Sequence, residues 1–388
     1  MENFAYVIDT FFMLFAMVLI ILMVPGFAML EAGLVRTKNV TSVLTVNTLI
    51  YALASMGFLL IGYDVAFGGW DNDSVSKWAA FLFQMAFVGK VINIMSGGVS
   101  ERVKIIPLMV FTVVVSTILY PLIVNITWGA NFLADTVLDI SAMHDLAGST
   151  VIHSTGGWAL LAAILIIGPR KGRFVNDKIR VIPASNIPLV VLGAFLLWIG
   201  WFGFNGGSVG SISTKESADA VALTILNTNT AGLAGAIVVA LMMYVKYKKL
   251  DITMILNGAL GGLVAITAGP DLYEIHVPII IGAIGGILVV FAVSFFDKLR
   301  LDDPVGALSV HLVNGIWGTV AVGIFSDLPL MPQLKGILVV AVFAFVSSYI
   351  VLFVINKFLP FRADDDVQTE GLDINECGLE SYPEFRRY

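Results

Sequence analysis

Charged residues are scarce in this chain: Asp, Glu, Lys and Arg make up only 13% of its 388 residues. A soluble domain carries about 25% charged residues, so the deficit excludes a disordered protein, a nucleic-acid binder and an ordinary cytosolic enzyme. The net charge of −6 offers no basic surface for polyanions. The sequence contains a single cysteine, Cys377, which excludes a disulfide scaffold and a cysteine-based metal cluster.

Apolar residues take the place of the missing charges. Hydrophobic residues make up 58% of the chain, and long apolar segments recur along its whole length. Because a helix needs roughly 20 apolar residues to cross about 30 Å of hydrocarbon, the sequence predicts an all-α polytopic membrane protein. We predict eleven transmembrane helices, centred near Leu19, Gly57, Phe87, Val114, Ala159, Leu192, Val238, Ala259, Gly286, Gly315 and Phe345. The segments near Ala259 and Gly315 are rich in glycine and weaker in hydropathy, which leaves ten spans as the alternative.

The basic residues between these segments are unevenly distributed. Alternate loops carry fourteen of them: Arg36, Lys38, Arg102, Lys104, Arg170, Lys171, Arg173, Lys178, Arg180, Lys246, Lys248, Lys249, Lys298 and Arg300. The other loops contain only Lys77, Lys215 and Lys335. Since cytoplasmic loops carry the excess of lysine and arginine, we expect the amino terminus outside, the carboxyl terminus in the cytoplasm and a multi-pass position in the cell membrane.

A pattern of four residues, D-x2-G-x4-H-x3-G, occurs twice, and its two copies are 158 residues apart. The copies are Asp145, Gly148, His153 and Gly157, and Asp303, Gly306, His311 and Gly315. They open the fifth and tenth predicted spans, which therefore cross the membrane in opposite senses, as in an inverted repeat of two five-helix halves. We predict a transmembrane channel domain over residues 1–360, with repeat one at about 8–170, repeat two at about 183–327 and an added eleventh helix at about 335–360, followed by a cytoplasmic C-terminal tail at 361–388.

His153 and His311 are polar groups inside predicted spans, where such groups are costly and usually face a cavity or each other. Each lies eight residues, ~12 Å along a helix axis, after its aspartate, so both imidazoles are expected near the middle of the membrane. One such histidine is more simply a core residue, but two at related positions indicate function, since facing imidazoles can share a proton. No thiolate or third histidine accompanies them, so we expect neither a metal site nor a cofactor.

Eight stretches of the chain stand out: PGFAMLEAGLVRTKNV (25–40), FQMAFVGKVINIMSGGVSERVK (83–104), TWGAN (127–131), HDLAGSTVIHSTGG (144–157), WIGWFGFNGGS (198–208), LNTNTAG (226–232), LDDPVGALSVHLVNGIWGT (301–319) and GLDINECGLESY (371–382). Through them the chain resembles the ammonium transporter (Amt/Mep/Rh) family, and its prokaryotic Amt members in particular, from about Met13 to Tyr382. A single string of this kind would be weak, but their joint order and spacing are specific.

The resemblance implies a function and an assembly. Members of that family form trimers in which each subunit has eleven helices and its own narrow pore. The chain is thus expected to be a homotrimer that carries ammonium or ammonia across the lipid bilayer, and not an enzyme. A PII-type regulatory protein is the partner that the family implies at the cytoplasmic face.

The resemblance also implies roles for individual residues. Trp128, Phe87 and Ser208 would form an outer site that recruits ammonium, with Asp145 as the buried acid nearby. Phe87 and Phe204 would form a hydrophobic gate below that site. The paired pore histidines would be His153 and His311, which neutral ammonia reaches after ammonium is deprotonated.

Three points stay open in the sequence. The same fold could serve as an ammonium sensor that signals through its cytoplasmic side. A membrane enzyme built on the two histidines and Asp145 is a weaker alternative, because no nucleophile or metal set accompanies them. Electrogenic ammonium transport is favoured over conduction of ammonia gas. Glu31 and Lys90, two charged residues inside predicted spans, are expected to pair, to snorkel or to lie at a subunit interface.

Overall fold

Long apolar helices make up most of the structure, a computed structural model that describes residues 2–70, 72–176 and 178–385. We number these helices in chain order: α1 (Glu2–Ile21 and Met23–Leu34), α2 (Thr37–Phe67), α3 (Lys77–Val99), α4 (Ile105–Thr127), α5 (Ser149–Ile167), α6 (Ile187–Gly207), α7 (Lys215–Tyr247), α8 (Ile252–Ile266), α9 (His276–Lys298), α10 (Leu308–Phe325) and α11 (Leu330–Phe358). Two short antiparallel strands, β1 (Phe174–Val175) and β2 (Lys178–Ile179), lie between α5 and α6. A short helix, α12 (Asp365–Glu370), follows α11. The last three residues of the predicted tail, 386–388, lie outside the described residues.

Ten of these helices are long and apolar enough to cross a membrane within the described part of the chain. The exception is α8, which has 15 residues and contains Ala259, one of the two weak segments of the sequence. The other weak segment, around Gly315, belongs to α10, which is long and apolar enough to cross a membrane. Eleven spans and the direction of the termini therefore stay predictions.

Residues at the helix ends explain several boundaries. Asn186 accepts the Leu189 N–H at 3.1 Å before α6, and Asp251 accepts the Thr253 N–H at 2.9 Å before α8, so each side chain satisfies a free donor of the first turn. After α7, Lys248 adopts the left-handed backbone conformation, with a φ of 54°, and the helix ends there. The helix boundaries thus follow from local polar residues, while the apolar stretches between them follow from the membrane-like composition.

Large apolar side chains point away from the bundle on several helices. Phe11 and Phe15 on α1, Phe291 and Phe295 on α9, and Phe353 on α11 are all more than half exposed. A soluble monomer rarely exposes contiguous apolar surface of this extent. The interior, in contrast, contains tightly packed aliphatic and aromatic side chains from α3, α5, α6, α10 and several helices around them. The outer surface therefore suits hydrocarbon rather than water.

Four connections between helices meet at one end of the bundle, which we call the basic end. The Glu101 carboxylate, after α3, accepts Arg36 Nε at 2.8 Å and lies 3.4 Å from Arg170 Nη1. Arg170 also makes two hydrogen bonds to Asp302, at 2.8 and 2.9 Å. Burial alone would raise the pKa of Asp302, but the hydrogen bonds from Arg170 and the charge of Arg102 lower it to about 2. The connections α1–α2, α3–α4, α5–α6 and α9–α10 are thus held together by buried charge.

The segment after α11 folds back onto the basic end. Asp373 Oδ1 accepts the Ser42 N–H at 2.8 Å, and Glu376 Oε2 accepts the Ile105 N–H at 3.0 Å. Ile105 opens α4, and Ser42 lies in the first α-helical turn of α2, which begins at Val40 after a short 3-10 turn, Thr37–Asn39. At both places a carboxylate caps free donors and complements the helix dipole. The described part of the tail is therefore attached at two helix starts.

Candidate functional site

Asp145 organises the start of α5. Its Oδ1 accepts the N–H groups of Gly148 and Ser149 at 3.0 and 2.8 Å, and its Oδ2 accepts those of Thr150 and Val151 at 2.8 and 2.9 Å. Gly148 has a φ of 106°, which residues with a side chain rarely adopt. Burial raises the pKa of Asp145 to about 6, and the four N–H donors limit that rise. All four donors of the first turn are thus satisfied by one carboxylate.

Asp303 does the same before α10. Its Oδ1 accepts the N–H groups of Val305 and Gly306 at 3.3 and 3.0 Å, and its Oδ2 accepts that of Leu308 at 2.7 Å. Gly306 also has a positive φ, 81°. The first two positions of the repeated sequence pattern therefore build the same helix start twice.

The two histidines follow in matching π-helical turns, Ser149–Ser154 and Leu308–Val313. His153 and His311 approach each other with an Nδ1–Nδ1 distance of 3.2 Å, and their rings lie 5.2 Å apart at 19°. At this distance one Nδ1 donates and the other accepts, so the pair shares one hydrogen. His153 Nε2 is buried and has no hydrogen-bond partner among the described residues. The pair can therefore accept or donate one further proton.

Glycine at the fourth position of each pattern lets α5 and α10 cross closely. A Cβ atom on Gly157 would lie 2.7 Å from Leu312 Cα, and one on Gly315 would lie 2.8 Å from Ser154 N. Both distances are below any normal carbon contact. The complete pattern is thus accounted for: a cap, a left-handed turn, an imidazole and a close helix crossing.

Aromatic rings continue from the histidines toward the end opposite the basic end. Phe204 lies 5.4 Å from His153, and Phe87 packs edge-on against Phe204 at 4.6 Å. Both phenylalanines are almost fully buried. The predicted gate residues are therefore in contact with each other and with the histidine pair.

The residues predicted for recruitment do not all meet. Trp128, at the end of α4, donates its Nε1–H to the Asp145 carbonyl at 2.9 Å, and the Ser208 hydroxyl donates to the Phe204 carbonyl at 2.8 Å. Both side chains are half-buried. Among the described residues no hydrogen bond or ring contact joins Trp128 to Phe87 or to Ser208. Trp128 is instead attached to Asp145, which caps α5, and Ser208 is attached to the predicted gate residue Phe204.

Two aromatic neighbours of the pair were missed in the sequence. Trp201 stacks on His153 at 5.1 Å, and its Nε1–H donates to Thr267 Oγ1 at 2.9 Å. Phe27 lies 6.3 Å from His311. Trp201 precedes Phe204 by three residues, which puts both on one helix face, so the spacing could have revealed it. Phe27 stands alone in an apolar run and gives no such signal.

Glu31 and Lys90 correct an expectation. They were expected to pair, to snorkel or to lie at a subunit interface, but both are buried inside the chain, at 1% and 2% exposure, and no ion pair joins them. Glu31 instead accepts hydrogen bonds from Ser96 Oγ at 2.9 Å and from Asn47 Nδ2 at 3.1 Å.

In the part of the chain that is described, no three histidine, cysteine, aspartate or glutamate side chains come close enough to hold a metal ion.

A sequence profile described as the Ammonium Transporter Family matches residues 11–382. The chain belongs to the ammonium transporter family. It is 37% identical to a putative ammonium transporter of Synechocystis sp., over 96% of this chain and 89% of that protein. It is 33% identical to the ammonium transporter Amt2 of Archaeoglobus fulgidus, over 99% of this chain and 90% of that protein.

Two solved structures resemble this member of the ammonium transporter family closely. A structure titled Sensor Amt Protein superposes with a TM-score of 0.91 at 31% identity and covers 97% of this chain and all of that one. The crystal structure of Candida albicans Mep2 superposes with a TM-score of 0.85 at 26% identity and covers all of this chain and 94% of that one. The chain is therefore a multi-pass membrane protein of a transporter family, and not a member of an enzyme family.

Proposed function

We propose that this chain is an ammonium permease of the cytoplasmic membrane, with a hydrophobic pore lined by His153 and His311. The observation that carries the proposal is the pair of buried imidazoles at 3.2 Å, next to the contact between Phe87 and Phe204. A hydrophobic constriction of this kind opposes hydrated cations. The imidazoles provide polar contacts for a small neutral molecule.

The cost of desolvation supports deprotonation before passage. An ammonium ion that entered the pore intact would lose its hydration, at an effective cost of several kcal/mol. Ammonia is neutral and escapes this cost. The proton is then passed to the imidazole pair, which makes net transport electrogenic when the proton crosses as well.

Recruitment is assigned to Trp128, Phe87 and Ser208, with Asp145 holding the site together. An ammonium ion over an aromatic face gains ~0.5–2 kcal/mol. The hydrogen bond from Trp128 to the Asp145 carbonyl supports a fixed position for the indole ring. Phe87 and Phe204 then act as the gate between this site and the histidines.

We also propose eleven spans in a channel domain over residues 1–360, with the basic end and the tail at 361–388 in the cytoplasm. The lysine and arginine bias of the loops supports this orientation. The inverted repeat is supported by the matching caps of Asp145 and Asp303. A homotrimer, and a PII-type partner at the basic end, come from the family resemblance.

Electrophysiology on a supported membrane tests the function. Proteoliposomes that contain a permease give a sustained current that saturates with ammonium concentration, while a pulse of K⁺ gives none. Phe204→Ala widens the gate, so we expect it to admit K⁺ or to block flux. Purified protein that gives neither current nor ammonium uptake would refute the proposal.

A second candidate is an ammonium sensor, which the structural neighbour titled Sensor Amt Protein favours. In that case the same pore is occupied by ligand and signals through the basic end. The current distinguishes the two, because a non-conducting receptor gives only a brief binding transient. A transient with no uptake would favour the sensor.

A further inference from the structure

Glu31 lies between two small internal cavities. The first has a volume of about 20 Å³, enough for one water molecule, and its wall includes Glu31, Asn93 and His311. The second, of about 10 Å³, has Glu31, Ser96 and Glu101 in its wall. One cavity therefore reaches the histidine pair, and the other reaches the buried acid at the basic end.

The first cavity offers polar partners for a water molecule. Asn93 Nδ2 donates to Asn47 Oδ1 at 2.8 Å, which leaves Asn93 Oδ1 buried without a partner among the described residues. With the Glu31 carboxylate and the His311 ring in the same wall, a water has three polar groups to contact, within the two to four that a buried water needs. The wall is otherwise mostly apolar, so these three groups are the polar partners that a single water between His311 and Glu31 would have.

Glu31 has donors beside it but no positive charge. Its carboxylate oxygens accept from Ser96 and Asn47, and no lysine, arginine or histidine among the described residues forms an ion pair with it. Of the helices packed against this half of α1, α6 has no titratable residue. The titratable residues of α2 are Lys38, Tyr51, Tyr63 and Asp64, and those of α3 are Lys77 and Lys90; the side-chain hydrogen bonds of Glu31 go instead to Asn47 and Ser96. A buried anion without a cation is costly, so a carboxylate in this position gains by accepting a proton.

Glu101, across the second cavity, differs in this respect. Its carboxylate is already paired with Arg36 and Arg170 at the basic end. The side chain of Arg36 is 29% exposed, so this ion pair borders the aqueous phase. The second cavity therefore leads from Glu31 to Glu101, a member of this ion pair at the basic end.

We propose that Glu31 accepts the proton that ammonium leaves on the histidine pair, and releases it at the basic end by a branch separate from the path of ammonia. Protonated His311 gives a proton to the cavity water, and the water gives one of its own to the Glu31 carboxylate. The imidazole becomes neutral, the carboxylate becomes a carboxylic acid and the water is unchanged. The acid then loses the proton through the second cavity, while ammonia leaves by the pore and is protonated in the aqueous phase. This inference rests on the proposed permease function.

The test is Glu31→Gln in proteoliposomes, measured as ammonium-evoked current and, in parallel, as alkalinisation of the lumen reported by a trapped pH dye. Glutamine keeps the size of the side chain and one of its two hydrogen-bond acceptors, but it does not take up a proton in the pH range of the assay. We expect the current to fall about a hundredfold, the low end of the effect of a proton-transfer group. Ammonia that enters Glu31→Gln without its proton takes one up in the lumen and alkalinises it, whereas the wild type imports one proton with each ammonia and leaves the lumenal pH nearly unchanged. Glu31→Asp keeps a carboxyl and restores a large part of the current.

Two controls separate proton transfer from structure. Asn47→Leu removes one of the two side-chain hydrogen bonds to Glu31 but leaves the carboxyl group. If proton uptake by the carboxyl group carries the current, this variant keeps it. Glu274→Gln makes the same chemical change on an exposed connection, where the side chain is 87% exposed, and leaves the current unchanged. Infrared difference spectra of the wild type give a readout that does not depend on the folding of a variant: ammonium should produce a carboxylic acid band. The same band should be shifted in Glu31→Asp, which assigns it to this residue.

Each outcome bears on the proposal. Wild-type current in Glu31→Gln, equal loss in Glu31→Gln and Asn47→Leu, or no carboxylic acid band would overturn it. A folded Glu31→Gln that loses current and does not alkalinise the lumen would also overturn it, because Glu31 would then belong to the path of ammonia. Wild-type protein that moves ammonia without current overturns the proton branch and leaves permeation standing, whereas wild-type protein that moves neither refutes the proposed function as well.

Discussion

The two halves of the chain build the same helix start around different chemistry. In each half one aspartate accepts a group of backbone N–H bonds, a glycine turns left-handed and a π-helical turn presents a histidine. The two histidines then meet at 3.2 Å. The repeated backbone arrangement thus explains how two imidazoles come to one place from opposite ends of the bundle.

The surroundings of the two histidines differ. His153 contacts the rings of Trp201 and Phe204, an aromatic environment that suits a cation's approach and excludes water. His311 borders a small polar cavity that it shares with Glu31. The repeat thus supplies the geometry, whereas the residues outside it make the two sides of the pair chemically unequal, which gives the proposed path a direction.

The largest expected difference between the halves concerns their caps. Asp145→Ala should lower the free energy of unfolding by about 4 kcal/mol, since at least two buried N–H groups would lose their partner at about 1–3 kcal/mol each. Asp303→Ala should cost about 1 kcal/mol, as for an ordinary N-cap, because Asp303 is only partly buried and water can replace it. SDS titration of the purified protein in mixed micelles measures both. Equal losses would show that the two caps are equivalent in energy as well as in form.

The helix crossing should respond alike in both halves. Gly157→Ala and Gly315→Ala each place a methyl group against a neighbouring backbone, so we expect each to cost about 1–3 kcal/mol, as overpacking of a core does. Gly69→Ala is the matched control, because nothing lies within 4 Å of a Cβ there. The same SDS titration applies, and a neutral effect at Gly157 or Gly315 would contradict the close crossing.

The smallest expected effect concerns the aromatic side of the pair. Trp201→Phe keeps a ring near His153 but removes the hydrogen bond to Thr267, so it should cost about 1 kcal/mol. Thr267→Val removes the same hydrogen bond and leaves the indole in place. If the ring contact with His153 matters beyond this bond, the ammonium dependence of the current shifts in Trp201→Phe and not in Thr267→Val. Identical currents in the two variants would limit Trp201 to a structural role.

Much of this arrangement could be predicted from the sequence, because hydropathy and residue spacing are local properties. The apolar runs predicted the helices, and the repeated pattern pointed to His153 and His311. The short helix α8 around Ala259 was already a weak segment in the sequence. The hydrogen-bond partners of Glu31 could not be predicted from its position in an apolar segment, because Ser96 and Asn47 come from other helices.

Other features depend on tertiary packing and give no local signal. Phe27 contacts His311 only because α1 and α10 come together, and nothing in its own run marks it. The π-helical turns that orient the imidazoles likewise have no sequence signature of their own. Contacts between distant segments could therefore be predicted from the sequence only where a repeat or a family resemblance linked the two segments.

The central claim is that ammonium gives up its proton to the histidine pair and that both products cross. The most direct measurement counts charge and nitrogen in the same proteoliposomes, by integrating the ammonium-evoked current and assaying labelled ammonium that has entered. The account predicts one positive charge for each nitrogen in the wild type, and no current in His153→Ala or His311→Ala when both variants are folded. Wild-type current in either variant would contradict it.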